Sequence, residues 1–167
     1  MFAYHASSLS LFKYLIPLFL LTIPYFLQGE INFRSSLRDG ATGIVVSFIL
    51  LLPLFFFFVH SGKVFALLTS SALLFQLFGI SLPEEAYFRG FLQQGLGNTV
   101  KGVFVVSILF ALTHLPRFIF HGDLYSLLTF FPSLVMGLLY YRTSNILPST
   151  IFHFLSNIVF LGFCDIL

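Results

Sequence analysis

Glu84 and Glu85 stand side by side in the stretch Leu82-Pro83-Glu84-Glu85-Ala86-Tyr87-Phe88-Arg89-Gly90, and Arg89 lies four residues beyond Glu85. Further along, Phe110-x-x-x-His114 and His153-x-x-x-Asn157 set three more polar side chains into apolar runs. Carboxylate and imidazole are the common proton carriers near neutral pH, and imidazole and carboxamide N–H groups can hold an oxyanion. Such a set is enough to activate a water and to stabilise the tetrahedral adduct it makes. Whether it does so depends on the elements that carry it.

Those elements must lie in a membrane. Of 167 residues, 58% are hydrophobic and only 8% charged, with a mean hydropathy of +1.00. A soluble domain carries about 25% charged residues, so this chain cannot cover a water-facing surface. In lipid the backbone must satisfy itself, through helices or a closed barrel. The apolar runs are long and do not alternate, which selects an all-α, polytopic helical bundle in a single domain. Ionisable groups at membrane depth are costly, so Glu84, Glu85 and Arg89 become functional candidates. A net charge of +2 gives no reason to expect nucleic acid as a partner, and the lone Cys164 allows no intrachain disulfide.

About six membrane segments are expected. The first runs from about 11 to 28 and, lacking a small-x-small cleavage site after it, reads as a retained helix. A polar loop over 29–40 follows, then segments over about 41–59, 64–95, 102–115, 124–141 and 146–163. The third is read as one long helix kinked at Pro83. The alternative is a new helix starting there, with Ser81 and Glu84 as a capping box. At ~1.5 Å per residue, the continuous helix puts Glu84 and Glu85 roughly 15 Å below its C-terminal end. The same arithmetic puts His114 roughly 20 Å, His153 roughly 10 Å and Asn157 roughly 16 Å from that side, one shared level. Basic residues number four at Arg34, Arg38, Lys101 and Arg142 against three at Lys13, Lys63 and Arg117, a lean of one towards a cytoplasmic position for the first set.

Each residue also has a plainer role. Glu85 and Arg89, at i and i+4, suit an intrahelical ion pair. Glu84 could cap a helix, His114 could bond a carbonyl or hydroxyl, and His153 with Asn157 could be interhelical glue. His5, His60 and His121 fall at ends or loops; Asp123 suits an N-cap, and Tyr140-Tyr141-Arg142 an interfacial anchor. Against these stands the coincidence that three separate segments bring polar groups to one depth. With Arg89 neutralising Glu85, Glu84 is left as the carboxylate able to take a proton.

The ordered motifs Glu84-Glu85-x-x-x-Arg89, Phe110-x-x-x-His114 and His153-x-x-x-Asn157 resemble those of the CAAX protease and bacteriocin-processing (CPBP, Abi-type) family of glutamic-type intramembrane proteases. The resemblance covers about residues 80–160; the first two apolar segments carry no matching motif. It implies an intramembrane endopeptidase acting on a membrane-associated or lipid-anchored protein or peptide tail, in a bacterial inner (cytoplasmic) membrane. By position, Glu84 would activate water with help from His114, His153 and Asn157 would hold the oxyanion, and Glu85 with Arg89 would orient the site. No cofactor is expected, since there is no His-Glu-x-x-His and adjacent glutamates reach one ion poorly with two distant histidines; zinc is the alternative. Two other functions stay open, a non-catalytic bacteriocin-immunity or scaffold protein and a small transporter. The C-terminal Cys164-Asp165-Ile166-Leu167 has CaaX spacing, but Asp165 is not aliphatic and no polybasic stretch precedes it.

Overall fold

The computed structural model describes residues 6–28 and 32–163, all of it helix, turn or irregular chain with no strand among the described residues. His5 and the CaaX-spaced tail lie outside them. Helix α1 spans Ala6–Gln28 and holds Pro17 and Pro24. Helix α2 spans Leu37–His60 and starts before the expected end of the polar loop. The reason is local: Ser36 Oγ accepts a hydrogen bond from the Asp39 N–H at 3.3 Å, and Asp39 sits in the first turn, where a negative charge suits the helix dipole.

The third segment begins later than its hydropathy suggests. Residues 63–69 are irregular, and α3 starts after Thr69, whose Oγ1 accepts from the Ala72 N–H at 3.3 Å. What holds the irregular stretch is tertiary. Ala66 N–H donates to the Gly162 carbonyl at 2.8 Å, and the Phe65 ring packs on Phe55 and Phe163 with centroids 5.4 and 5.1 Å apart. Hydrophobicity alone does not distinguish such a docked segment from a helix.

From there α3 continues through Pro83 over residues 70–93. It does not restart at Ser81, whose φ of −62° and ψ of −48° are helical and whose side chain makes no capping bond. Proline removes one N–H and displaces the carbonyl a turn back, and the helix answers by widening. Leu82 N–H donates to Leu77 O, a π-type bond, and π turns occupy Phe75–Ser81 and Ala86–Gln93 on either side of Leu82–Glu85. Such turns gather at functional sites.

Helix α4 spans Val100–Thr113, N-capped by Thr99 Oγ1, which accepts from Gly102 N–H at 3.1 Å. The chain does not stop being helical at Pro116. Proline is tolerated in a first turn, and it opens the short helix α5, Leu115–His121. The expected fifth segment begins as a 3-10 turn, Leu124–Thr129, before α6, Phe130–Thr143. Helix α7 spans Ile146–Phe163, as the sequence predicts.

By length and composition, Leu37–His60, Val100–Phe120 and Ile146–Phe163 can each cross a membrane. Their outward residues, Phe48, Ile49, Phe56, Phe104 and Leu112 among them, are exposed and apolar, as lipid requires. Inside, Leu51, Phe88, Val106, Phe110, Met136, Leu139 and Phe152 form one core drawn from α2, α3, α4, α6 and α7. Small residues let the helices close in. A Cβ on Gly43 of α2 would lie 2.8 Å from the Pro148 carbonyl of α7, and one on Gly137 of α6 would lie 2.8 Å from Val103 Cγ1 of α4.

One end of the bundle is tied by polar groups. Asn145 Nδ2 donates to Arg34 O at 2.9 Å and Asp39 Oδ2 at 2.8 Å, while its Oδ1 accepts from Arg34 N–H and Leu147 N–H, each at 3.1 Å. Beside it Asn32 Nδ2 donates to Tyr140 OH, which donates to Gln94 Oε1, both at 3.0 Å. Tyr140 is therefore buried and not the interfacial anchor that Tyr140-Tyr141-Arg142 suggests; Tyr141 and Arg142 are the exposed members.

Candidate active site

Every candidate residue sits on a helix of the core or at the end of one. Glu84, Glu85 and Arg89 come from the middle of α3, His114 caps the end of α4, and His153 and Asn157 share one face of α7. Glu84, His114, His153 and Asn157 line a single cavity of about 380 Å³. The common depth read from the sequence thus corresponds to a common wall. Ile80, Leu128, Pro132, Met136, Phe160 and Leu161 supply its apolar lining, and Arg117 and Asp123 also line it. Those two are paired at 2.8 Å, while the turn after Asp123 is closed by its backbone carbonyl, which accepts from Ser126 N–H at 3.2 Å and Ser126 Oγ at 2.7 Å.

The two glutamates are placed differently. Glu85 is fully buried, with Oε2 3.3 Å from Arg89 Nε and Oε1 3.0 Å from His153 Nδ1. An ionised carboxylate only accepts, so His153 Nδ1 carries the proton and its Nε2 is turned the other way. Arg89 Nη2 in turn donates to Ser133 O at 3.1 Å and Ser133 Oγ at 2.9 Å. Its guanidinium lies over the Phe110 ring, 5.1 Å from the centroid. Phe110 is the common packing partner, since its ring also meets His114 at 5.0 Å and His153 at 5.7 Å.

Glu84 is 23% exposed, and its nearest charged partner is His153 Nε2 at 3.8 Å, too long for a hydrogen bond. Among the described residues its carboxylate has no hydrogen-bond donor. The sequence pairs Glu84 with His114, whereas the histidine facing Glu84 most closely is His153. His114 Nδ1 lies 3.0 Å from the Phe110 carbonyl and 3.3 Å from Thr113 Oγ1. A carbonyl only accepts, so Nδ1 bears the proton and Nε2 does not.

Asn157 Nδ2 donates to Gln76 Oε1 at 3.1 Å, and Gln76 lines the same cavity. The sequence does not single out Gln76. Its only signal is a carboxamide inside Leu73-Leu74-Phe75-Gln76-Leu77-Phe78, eight residues before Glu84. Ser133 was likewise invisible, being one hydroxyl among many. His60 is exposed, as expected. Among the described residues, no group of three His, Cys, Asp or Glu side chains converges as a metal ion needs.

Comparison with known proteins adds an independent observation. A search of curated proteins and one of solved structures gave no match. A family model described as type II CAAX prenyl endopeptidase Rce1-like matches residues 66–159, a stretch from just before α3 into α7 that contains every candidate residue. That match spans more than half of the 167 residues, and the chain belongs to the Rce1-like family of type II CAAX prenyl endopeptidases.

Proposed function

We propose that this membrane protein is an intramembrane endopeptidase that hydrolyses a peptide bond in the tail of a membrane-associated or lipid-anchored protein, with a water activated by Glu84. The observation that carries the reading is the contrast between two adjacent carboxylates. Glu85 spends both oxygens on Arg89 and His153, while Glu84 faces the cavity without a donor. One carboxylate then orients and the other takes the proton.

In this reading Glu84 removes a proton from water as the oxygen attacks the scissile carbonyl, and His114 Nε2 assists the proton transfer. The carbonyl oxygen gains negative charge and is met by Asn157 Nδ2–H and, when the His153 ring carries both protons, by its Nε2–H. Glu85 fixes that ring through Nδ1, and Arg89 holds Glu85, anchored by Ser133. The proton on Glu84 passes to the amine as the C–N bond breaks. None of these steps calls on a metal, and the reaction is written without one. The apolar lining suits a substrate segment arriving from lipid, and the protein is assigned to a bacterial inner membrane.

The test is terminal proteomics on membranes from cells making the wild type, Glu84→Gln, or neither. New protein termini that appear only with the wild type support the peptidase and name its substrate. Identical profiles in all three would sink it and favour an immunity, scaffold or transport role.

A further inference from the structure

We infer that Gln76 is a positioning residue for Asn157, holding the Asn157 carboxamide so that an N–H, and not its oxygen, meets the carbonyl under attack. The inference rests on the peptidase reading above and deepens it. The bond between them is direct: Asn157 Nδ2 donates to Gln76 Oε1 at 3.1 Å.

The need for such a partner follows from the chemistry of a carboxamide. Its terminal torsion is broad and close to two-fold, so the group can present either end with little cost. One end would donate to an oxyanion and the other would repel it. An acceptor at Gln76 draws the NH2 end to its side. Nδ2 has two protons; one goes to Gln76 and the second stays available within the cavity. The plain alternative is that the pair only joins two helices. However, α3 and α7 are already joined by Glu85 and His153, at 3.0 Å, and the Gln76–Asn157 pair is half-buried at the cavity wall and not in the packed core.

The shape of α3 explains how Gln76 reaches this wall. In an unbroken α-helix eight residues turn through about 800°, which would leave Gln76 ~80° away from the face of Glu84. A π turn accommodates one extra residue and takes back about 100°, bringing the two to within ~20°. The π stretch Phe75–Ser81 begins one residue before Gln76 and ends three before Glu84. The widened turn thus sets base and positioning residue on one face, and they reach α7 at two levels.

The experiment extends the terminal-proteomics comparison to Gln76→Met, Gln76→Glu, Asn157→Ala and the double variant Gln76→Met/Asn157→Ala. New termini are followed with time and scaled to folded protein. Kinetics are then measured on a peptide spanning the cleaved bond. Methionine keeps the length and removes the acceptor; glutamate keeps an acceptor oxygen in either protonation state. Gln76→Met is expected to lower kcat about tenfold with KM unchanged, and Gln76→Glu to stay within about threefold of the wild type. On the Asn157→Ala background, Gln76→Met should have no further effect, because it acts through Asn157. Wild-type rates in Gln76→Met overturn the inference, as does an equal loss on the Asn157→Ala background, which would mark a merely structural role. If Gln76→Met fails to fold, Gln76→Glu decides: a tenfold loss there in folded protein overturns it too. Absence of Glu84-dependent termini in the wild type fells the peptidase reading and this inference together, an outcome distinct from the others.

Discussion

Two polar regions sit in this hydrocarbon-rich chain, and they are built to opposite rules. At the tied end of the bundle, Asn145 uses both amide donors and both lone pairs, and Asn32, Tyr140 and Gln94 run on as a chain of hydrogen bonds. At the cavity, satisfaction stops halfway. Glu85 Oε1 is hydrogen-bonded to His153, and Oε2 faces Arg89 Nε as an ion pair at 3.3 Å without a hydrogen bond. Glu84 has only a 3.8 Å approach from His153, and Arg89 Nη1 has no hydrogen-bond partner among the described residues. A fully paired buried network rigidifies, while an unpaired polar atom is expensive to keep. The contrast teaches where each cost is borne. The first region holds the loop before α2 against the α6–α7 turn, and the second leaves the Glu84 carboxylate facing the cavity.

The largest effect should come from the open side of this contrast. Glu84→Gln is nearly isosteric and cannot take a proton, so cleavage should fall at least about 100-fold while thermal stability is unchanged or raised. Full activity in that variant would remove the general base. Next comes the closed half of the same site: Arg89→Ala leaves Glu85 buried without its cation, at about 3–5 kcal/mol. The readout is the yield and melting temperature of folded protein in detergent; normal values for both would dissolve the ion pair's structural role. The knot should behave differently again. Asn145→Ala should cost about 2 kcal/mol of stability and leave activity per folded molecule near that of the wild type. A selective loss of activity at full stability would blur the two regions into one. Tyr140→Phe should cost about 1 kcal/mol by melting, since the hydroxyl both donates and accepts inside the protein. No change would return Tyr140 to the interface. Smallest of all, a strong zinc chelator should leave cleavage unchanged, and inactivation that added zinc reverses would replace the metal-free mechanism.

Elements set by consecutive residues are legible in the sequence, and those set by contacts between segments or by departures from regular periodicity are not. The helix through Pro83, α7 and the placing of Glu85 and Arg89 on neighbouring turns follow from periodicity and i,i+4 spacing. The start of α3 is not legible because residues 64–68 are as apolar as a helix, while Phe65 packs on α2 and α7 and Ala66 bonds to α7. Tyr140 resembled an anchor because tyrosine beside arginine suits an interface equally well. Gln76 is not legible as a partner of the site because a π turn, which no simple periodicity encodes, brings it to the face of Glu84.

By itself, then, the amino-acid sequence determined the class of the protein, an all-helical membrane bundle, and the inventory of groups at a shared depth. Hydropathy and helical rise are properties of consecutive residues and need no fold to express them. Only the tertiary structure decided the pairing: His153 with Glu85 across 68 positions, Asn157 with Gln76 across 81, and Glu84 left facing the cavity. Those pairings depend on how each helix is rotated about its own axis. That rotation is set by close contacts between helices such as Gly43 on Pro148, which no single segment contains, and by the widened turns of α3, which simple periodicity does not encode.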